Sequence, residues 1–291
     1  MSARQPSFGA RLAAAMDDHG PLCVGIDPHA SLLEAWGLPD DAAGVREFGL
    51  RVVEAVGGRV AAVKPQAAFF ERHGSRGVAA LEDVIAAARA AGTLVVVDAK
   101  RGDIGSTMDA YAEAFLRDGS PLAGDALTVS PYLGFGSLTP AVDLALSSGR
   151  GLFVLCLTSN KEGHEVQHAR TLTPEGRPGG PSVAATMAGH AAALNADVDP
   201  MGSIGLVVGA TVGDAAERTG TDLTAVNGPL LAPGVGAQGG GAAELAAVFG
   251  DARRQVLASS SRGVLRAGPD AAALRRAADE AVLEARAALR G

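Results

Sequence analysis

Eight short apolar segments, each closed by polar residues and followed by a helical stretch, predict an α/β fold: a (β/α)₈ TIM barrel with an extra N-terminal helix. Two further observations agree. The 291 residues suit one barrel of this kind, which typically needs about 250. No composition break or internal repeat divides the chain, so one barrel domain is expected over residues 1–291. An open doubly wound sheet is the competing arrangement, but it does not demand polar punctuation at the same end of every strand.

Apolar residues at helical spacing (Phe8, Leu12, Ala15, Met16) predict an amphipathic helix over Phe8 to Asp18, ahead of the main fold. The first strand is Leu22 to Ile26, ending in Asp27-Pro28, and a helix follows from Ala42 to Val56. Val60 to Val63 is the second strand, closed by Lys64-Pro65, with a helix around Gly77 to Ala91. Leu94 to Val97 reads as a strand buried on both faces. After a helix from Thr107 to Leu116 come Ala126 to Val129, closed by Ser130-Pro131, and a helix from Pro140 to Ser147. The fifth strand, Leu152 to Leu157, ends in Thr158-Ser159-Asn160. Ile204 to Val208, Leu230 to Ala232 and Gln255 to Ala258 complete the set. The polar, Gly/Pro-rich segment Asn160 to Pro181 is long enough to be a lid, an interface element or an idle insertion.

A hydrophobic share of 47% and a charged share of 20% allow a large globular core. The net charge of -7, with no Lys/Arg cluster to oppose it, argues against a nucleic-acid surface. Cys23 and Cys156 both lie in apolar runs and read as buried, reduced thiols. The N-terminus lacks a signal-peptide core, and no apolar run reaches the roughly 20 residues of a membrane span. A cytoplasmic protein without a membrane partner is expected.

In a barrel the strand ends converge on one mouth. They supply Asp27, Lys64, Asp98 with Lys100, Ser130, Thr158 with Ser159, Gln238 and Arg262. Asp27 alone could cap a turn and Lys64 alone could be a surface charge, but independent surface residues would not select strand ends repeatedly. Asp98 and Lys100 are two apart and share a side if the strand persists, while Asp103 follows in the loop or first helical turn. Carboxylates on both sides favour the ammonium form of Lys100, which suits a fixed cation and proton donor better than a Schiff-base nucleophile. A buried ion-pair network bracing the rim is the structural alternative.

Pro233 to Gly241 is a glycine run between a strand and a helix near Ala242, where backbone N–H groups can approach a phosphate. Gln238 within it, and Arg262-Gly263 after the last strand, complete a candidate phosphate site; Arg262 offers a bidentate grip that lysine lacks. No HxH, HxxE or paired-cysteine spacing suggests a metal, and His164 and His168 share one loop without reading as ligands.

DAKRGDIGST at residues 98–107, with GIDP before it and VKPQAAFFE, LCLTSN and GVGAQ in order around it, resembles the orotidine 5′-phosphate decarboxylase family. The similarity is to its longer bacterial branch, often called type 2, and covers essentially the whole chain. It implies decarboxylation of orotidine 5′-phosphate to uridine 5′-phosphate, the last step of de novo pyrimidine synthesis, without metal or organic cofactor. By the same resemblance Lys100 protonates the ring carbon that loses carbon dioxide, and Asp98 orients Lys100 and faces the departing carboxylate. Asp27 and Lys64 would hold the ribose. Asp103 and Thr107 would act in trans, in the neighbouring site of a homodimer. Gln238, adjacent backbone, Arg262 and Gly263 would bind the phosphate. The pyrimidine-edge position reads Thr158-Ser159 rather than a serine pair, leaving open which hydroxyl makes that contact. The glycine loop is also short for a phosphate-gripping lid. The alternatives are a metal-assisted sugar-phosphate decarboxylase or aldolase on a related barrel, and a non-catalytic sensor of a phosphate ligand.

Overall fold

Branched aliphatic residues dominate the strand segments, and in the computed structural model eight of these segments close into one parallel barrel. The structure describes residues 6–173, 175–235 and 240–290. The barrel strands are β1 (Leu22–Ile26), β2 (Ala62–Pro65), β3 (Leu94–Arg101), β4 (Ala126–Val129), β5 (Gly151–Leu157), β6 (Ile204–Val208), β7 (Leu230–Pro233) and β8 (Val256–Ser260). Each pairs with the next, and β8 closes on β1 with Leu22 opposite Ala258. Helices Ala42–Val56, Gly74–Ala90, Gly105–Leu116, Thr139–Ser147, Val183–Asn195, Ala215–Thr219, Ala242–Phe249 and Ala271–Arg290 follow the successive strands.

Five strands differ from expectation in their bounds, and two of them matter for the site. β2 starts at Ala62 rather than Val60 and takes in Lys64, and β3 continues beyond Val97 to Arg101. The reason is common to both: hydropathy marks only the apolar part of a strand, whereas extended chain continues through residues whose polar side chains face the mouth.

Alternation along the strands divides the core in two. Cys23, Val96, Phe153, Val207, Leu231 and Leu257 point into the barrel, while Val24, Val95, Val97, Leu127 and Val154 pack outward under the helices. The inward set is completed by Phe8, Leu12 and Met16 of the extra helix Phe8–His19, which plugs the amino end of the barrel. Phe8 meets Phe153 edge-on with centroids 6.0 Å apart. A Cβ on Gly151 would lie 2.1 Å from the Phe8 ring, so the first residue of β5 must be glycine. Arg11 latches the helix to Asp125 at 2.5 Å, and the other oxygen of Asp125 accepts from the Val95 N–H at 2.9 Å.

The long segment after β5 has structure of its own. Helical turns at Lys161–Gly163 and His164–Gln167 lead into an antiparallel pair, Arg170–Leu172 with Pro178–Ser182. Among the described residues no helix is long and apolar enough to cross a membrane.

Candidate active site

Inward alternation along β3 runs Val96, Asp98, Lys100, so the strand carries its core pattern into a charged one at the mouth. Asp98 is 6% exposed and accepts from Lys100 Nζ at 2.5 Å on Oδ1 and from Lys64 Nζ at 2.8 Å on Oδ2. Within one subunit the array is therefore a carboxylate between two ammoniums, rather than Lys100 between Asp98 and Asp103. Beyond Arg101 the chain leaves the strand, and Asp103 accepts from the N–H of Ile104 just ahead of helix Gly105–Leu116.

Burial works against the Asp98 charge, but the Lys64 and Lys100 ammoniums and their hydrogen bonds outweigh it. Its carboxyl sits well below the usual carboxylate range. Burial likewise works against the Lys64 charge, and Asp98 and Asp27 more than offset it, holding Lys64 above the ordinary lysine range. Cys23, one layer deeper on β1, is pushed by burial up to about 12 and stays a neutral thiol. The neighbouring Arg101 belongs elsewhere. It faces outward to Glu71, with its guanidinium 5.5 Å from the Tyr111 ring centroid.

The array forms the floor of a cavity of about 280 Å³. Asp27, Lys64, Asp98, Lys100, Thr158, Ser159, Arg262 and Gly263 all line it, so eight sequence-predicted positions converge from five strand ends. Asp103 and Thr107 are not among the lining residues, and Thr107 is exposed on its helix. Gln238 lies outside the described residues. Of the glycine run, Pro233, Gly234 and Val235 reach the cavity. The helix start at Ala242 does not reach it, and there the Gly241 N–H donates to Glu244 at 3.0 Å.

Two buried oxygens in this cavity, Asp27 Oδ1 and Ser261 Oγ, have no hydrogen-bond partner among the described residues. Unpaired buried acceptors and hydroxyls are costly, and both belong to residues that line the cavity. Gly25 leaves room for both side chains: a Cβ there would meet Ser261 Cβ at 2.8 Å and Asp27 Oδ2 at 3.2 Å.

Thr158 and Ser159 occupy two different environments. Gln167 clamps Thr158, its Nε2 donating to Thr158 Oγ1 at 2.6 Å and its Oε1 accepting from the Thr158 N–H at 2.9 Å. Thr158 Oγ1 in turn donates to Asn160 Oδ1 at 2.6 Å. The Ser159 hydroxyl makes no such bond among the described residues. Among the polar lining residues not singled out in the sequence are Gln66, Thr128 and Ser261. Gln66 accepts from Lys64 Nζ at 3.3 Å and donates to the Asp98 carbonyl at the same distance. All three sit next to, or across from, residues that were singled out, but uncharged side chains in apolar or serine-rich runs carry no signal of their own.

A family model described as the orotidine 5′-phosphate decarboxylase / HUMPS family matches residues 20–277. Orotidine 5′-phosphate decarboxylase of Streptomyces coelicolor is 64% identical over 97% of this chain and 98% of its own length. The enzyme of the same name from Salinispora arenicola is 59% identical over 98% and 99%. A crystal structure from Streptomyces avermitilis superposes with a TM-score of 0.92 at 64% identity, covering 99% of this chain and 97% of that one. The OMP decarboxylase of Leishmania donovani superposes at 0.74 and 34%, covering 98% and 99%. The chain belongs to the orotidine 5′-phosphate decarboxylase / HUMPS family.

Proposed function

We propose that this protein, acting as a cytoplasmic homodimer, decarboxylates orotidine 5′-phosphate to uridine 5′-phosphate, with Lys100 as the proton donor. The observation that carries the reading is the buried Asp98 carboxylate held by two ammoniums on the floor of a cavity with Arg262 on its wall. The remote phosphate binds Arg262, Gly263 and the backbone after β7, with Gln238 assigned there on sequence alone. Ribose hydroxyls satisfy Asp27, Lys64 and the unpaired Ser261. Ser159, whose hydroxyl is free where that of Thr158 is clamped, meets the pyrimidine edge. This directs the ring carboxylate toward Asp98 and the reacting carbon toward Lys100 Nζ.

The carbon–carbon bond to the carboxylate then breaks, carbon dioxide leaves, and the electron pair stays on the ring carbon. The Lys100 ammonium stabilises that charge and delivers its proton to the carbon, and solvent later reprotonates the amine. Phosphate binding energy, realised far from the reacting carbon, can be spent on holding the ring in this charged floor. Asp103 and Thr107 complete the partner's site in this reading. Its support is that Ile104, Tyr132 and Leu133, at the ends of the adjacent β3 and β4, are 62%, 74% and 53% exposed, an apolar surface suited to a second copy.

Spectrophotometric turnover of orotidine 5′-phosphate by the purified protein tests the activity. Turnover unaffected by chelator supports the reading, and turnover abolished by chelator and restored by a divalent cation favours metal-assisted chemistry. Tight binding of uridine 5′-phosphate without turnover favours a sensor.

A further inference from the structure

The charged floor rests on a residue that carries no charge. Between Val97 and Arg101, β3 has three residues where β4 has one, because Leu127 pairs with Val97 and Val129 with Arg101. That single opposing residue is Thr128, 1% exposed. Across this bulge the regular ladder is interrupted, and the Thr128 side chain takes its place. Its hydroxyl accepts from the Lys100 backbone N–H at 3.0 Å and donates to Asp98 Oδ1 at 2.8 Å. A hydroxyl has one proton and two lone pairs, so both bonds form at once.

Lys100 needs such support. Its φ of +47° lies in the left-handed region, which non-glycine residues rarely enter and keep only when their surroundings impose it. The same Asp98 Oδ1 that receives the Thr128 proton also receives Lys100 Nζ at 2.5 Å. One hydroxyl therefore fixes both ends of the lysine, its backbone directly and its ammonium through a shared carboxylate oxygen. We propose that Thr128 is a positioning residue that holds Lys100 in its strained backbone conformation and aims its ammonium. The inference rests on the decarboxylase reading above.

Valine has the shape of threonine without the hydroxyl, so Thr128→Val removes both bonds while keeping the packing in β4. With orotidine 5′-phosphate as substrate and the intact protein, its kcat is expected to fall roughly 10- to 100-fold, the weight of one hydrogen bond to a charged group. KM should change less than about threefold, because the groups assigned to phosphate and ribose are untouched. Thr128→Ser keeps the hydroxyl and should return kcat to within about threefold of the parent. If the valine variant does not fold, Thr128→Ala carries the same expectation, with folding checked by thermal melting. Near-parental kcat in a folded hydroxyl-free variant overturns the proposal, as does a serine variant no better than valine or a loss confined to KM. An inactive parent protein instead overturns the decarboxylase reading itself.

Discussion

Asp98→Asn separates what the charged floor does for the fold from what it does for chemistry. The substitution keeps the shape of the side chain and removes the charge between Lys64 Nζ at 2.8 Å and Lys100 Nζ at 2.5 Å. Lys100 is half exposed and can turn to water, but the Lys64 side chain is 7% exposed and retains as counter-charge only Asp27, 4.0 Å away, beside the neutral Gln66 amide. Breaking a buried pair so that one charge stays behind costs about 3–5 kcal/mol. In a chain of 291 residues each kcal/mol moves Tm by roughly 1.6 °C, so melting should fall by roughly 5–8 °C. Adding Lys64→Met removes the stranded charge, and the double variant should recover most of that loss, since a buried ion pair replaced by apolar groups is often neutral. Turnover should be lost in Asp98→Asn and stay lost in the double variant. Melting of Asp98→Asn within about 2 °C of the parent would refute the reasoning. The same pair sets a pH window. The lowered Asp98 value adds stability that is present above its unfolded value of about 4 and lost as pH falls through the folded one. The raised Lys64 value adds stability that is present below about 10.4 and lost as pH rises through the folded one.

Three other outcomes are expected. Ser159→Ala should lower kcat/KM for orotidine 5′-phosphate about 10-fold or more, and Thr158→Val less, because the Thr158 hydroxyl already serves Gln167 and Asn160; steady-state kinetics decides, and the reverse order removes Ser159 from the pyrimidine edge. In the homodimer proposed above, Lys100→Ala and Asp103→Ala should each be nearly inactive, and mixing them should restore activity once subunit exchange is verified, since one mixed site then holds both wild-type residues. Phe8→Ala should cost about 3–5 kcal/mol in denaturant melts while leaving KM unchanged, because Phe8 fills the barrel's amino end, opposite the mouth.

The barrel was legible because its physics is local and repeated. Every strand buries both faces, so Leu22–Ile26, Ala126–Val129 and Ile204–Val208 announce themselves as short aliphatic runs at their observed bounds. Strand ends are less legible where the chemistry begins. Lys64 belongs to β2 by its backbone register with β1, and Lys100 to β3 across a bulge that the Thr128 hydroxyl closes, neither by hydropathy. The post-β5 segment hid its hairpin because Pro178–Ser182, read as a string, has turn composition.

The site was legible to the extent that charge and position announce it. Asp27, Lys64, Asp98, Lys100 and Arg262 stand out because ionised groups beside buried strands need a reason, and the cavity supplies one. What the sequence could not order is which charge lies between which. Spacing placed Lys100 between Asp98 and Asp103, whereas the β2–β3 register brings Lys64, thirty-four residues away, onto the far oxygen of Asp98. The difference matters for the chemistry. Two ammoniums already share the carboxylate, so Asp98 can stay ionised on the floor of the site, and the Lys100 ammonium is supplied with its counter-charge before any ligand arrives. That trio carries one net positive charge, so a second carboxylate brought by a partner subunit would neutralise an existing array rather than create it. On that basis the mixed-dimer experiment should recover turnover with little change in the stability of the individual barrels.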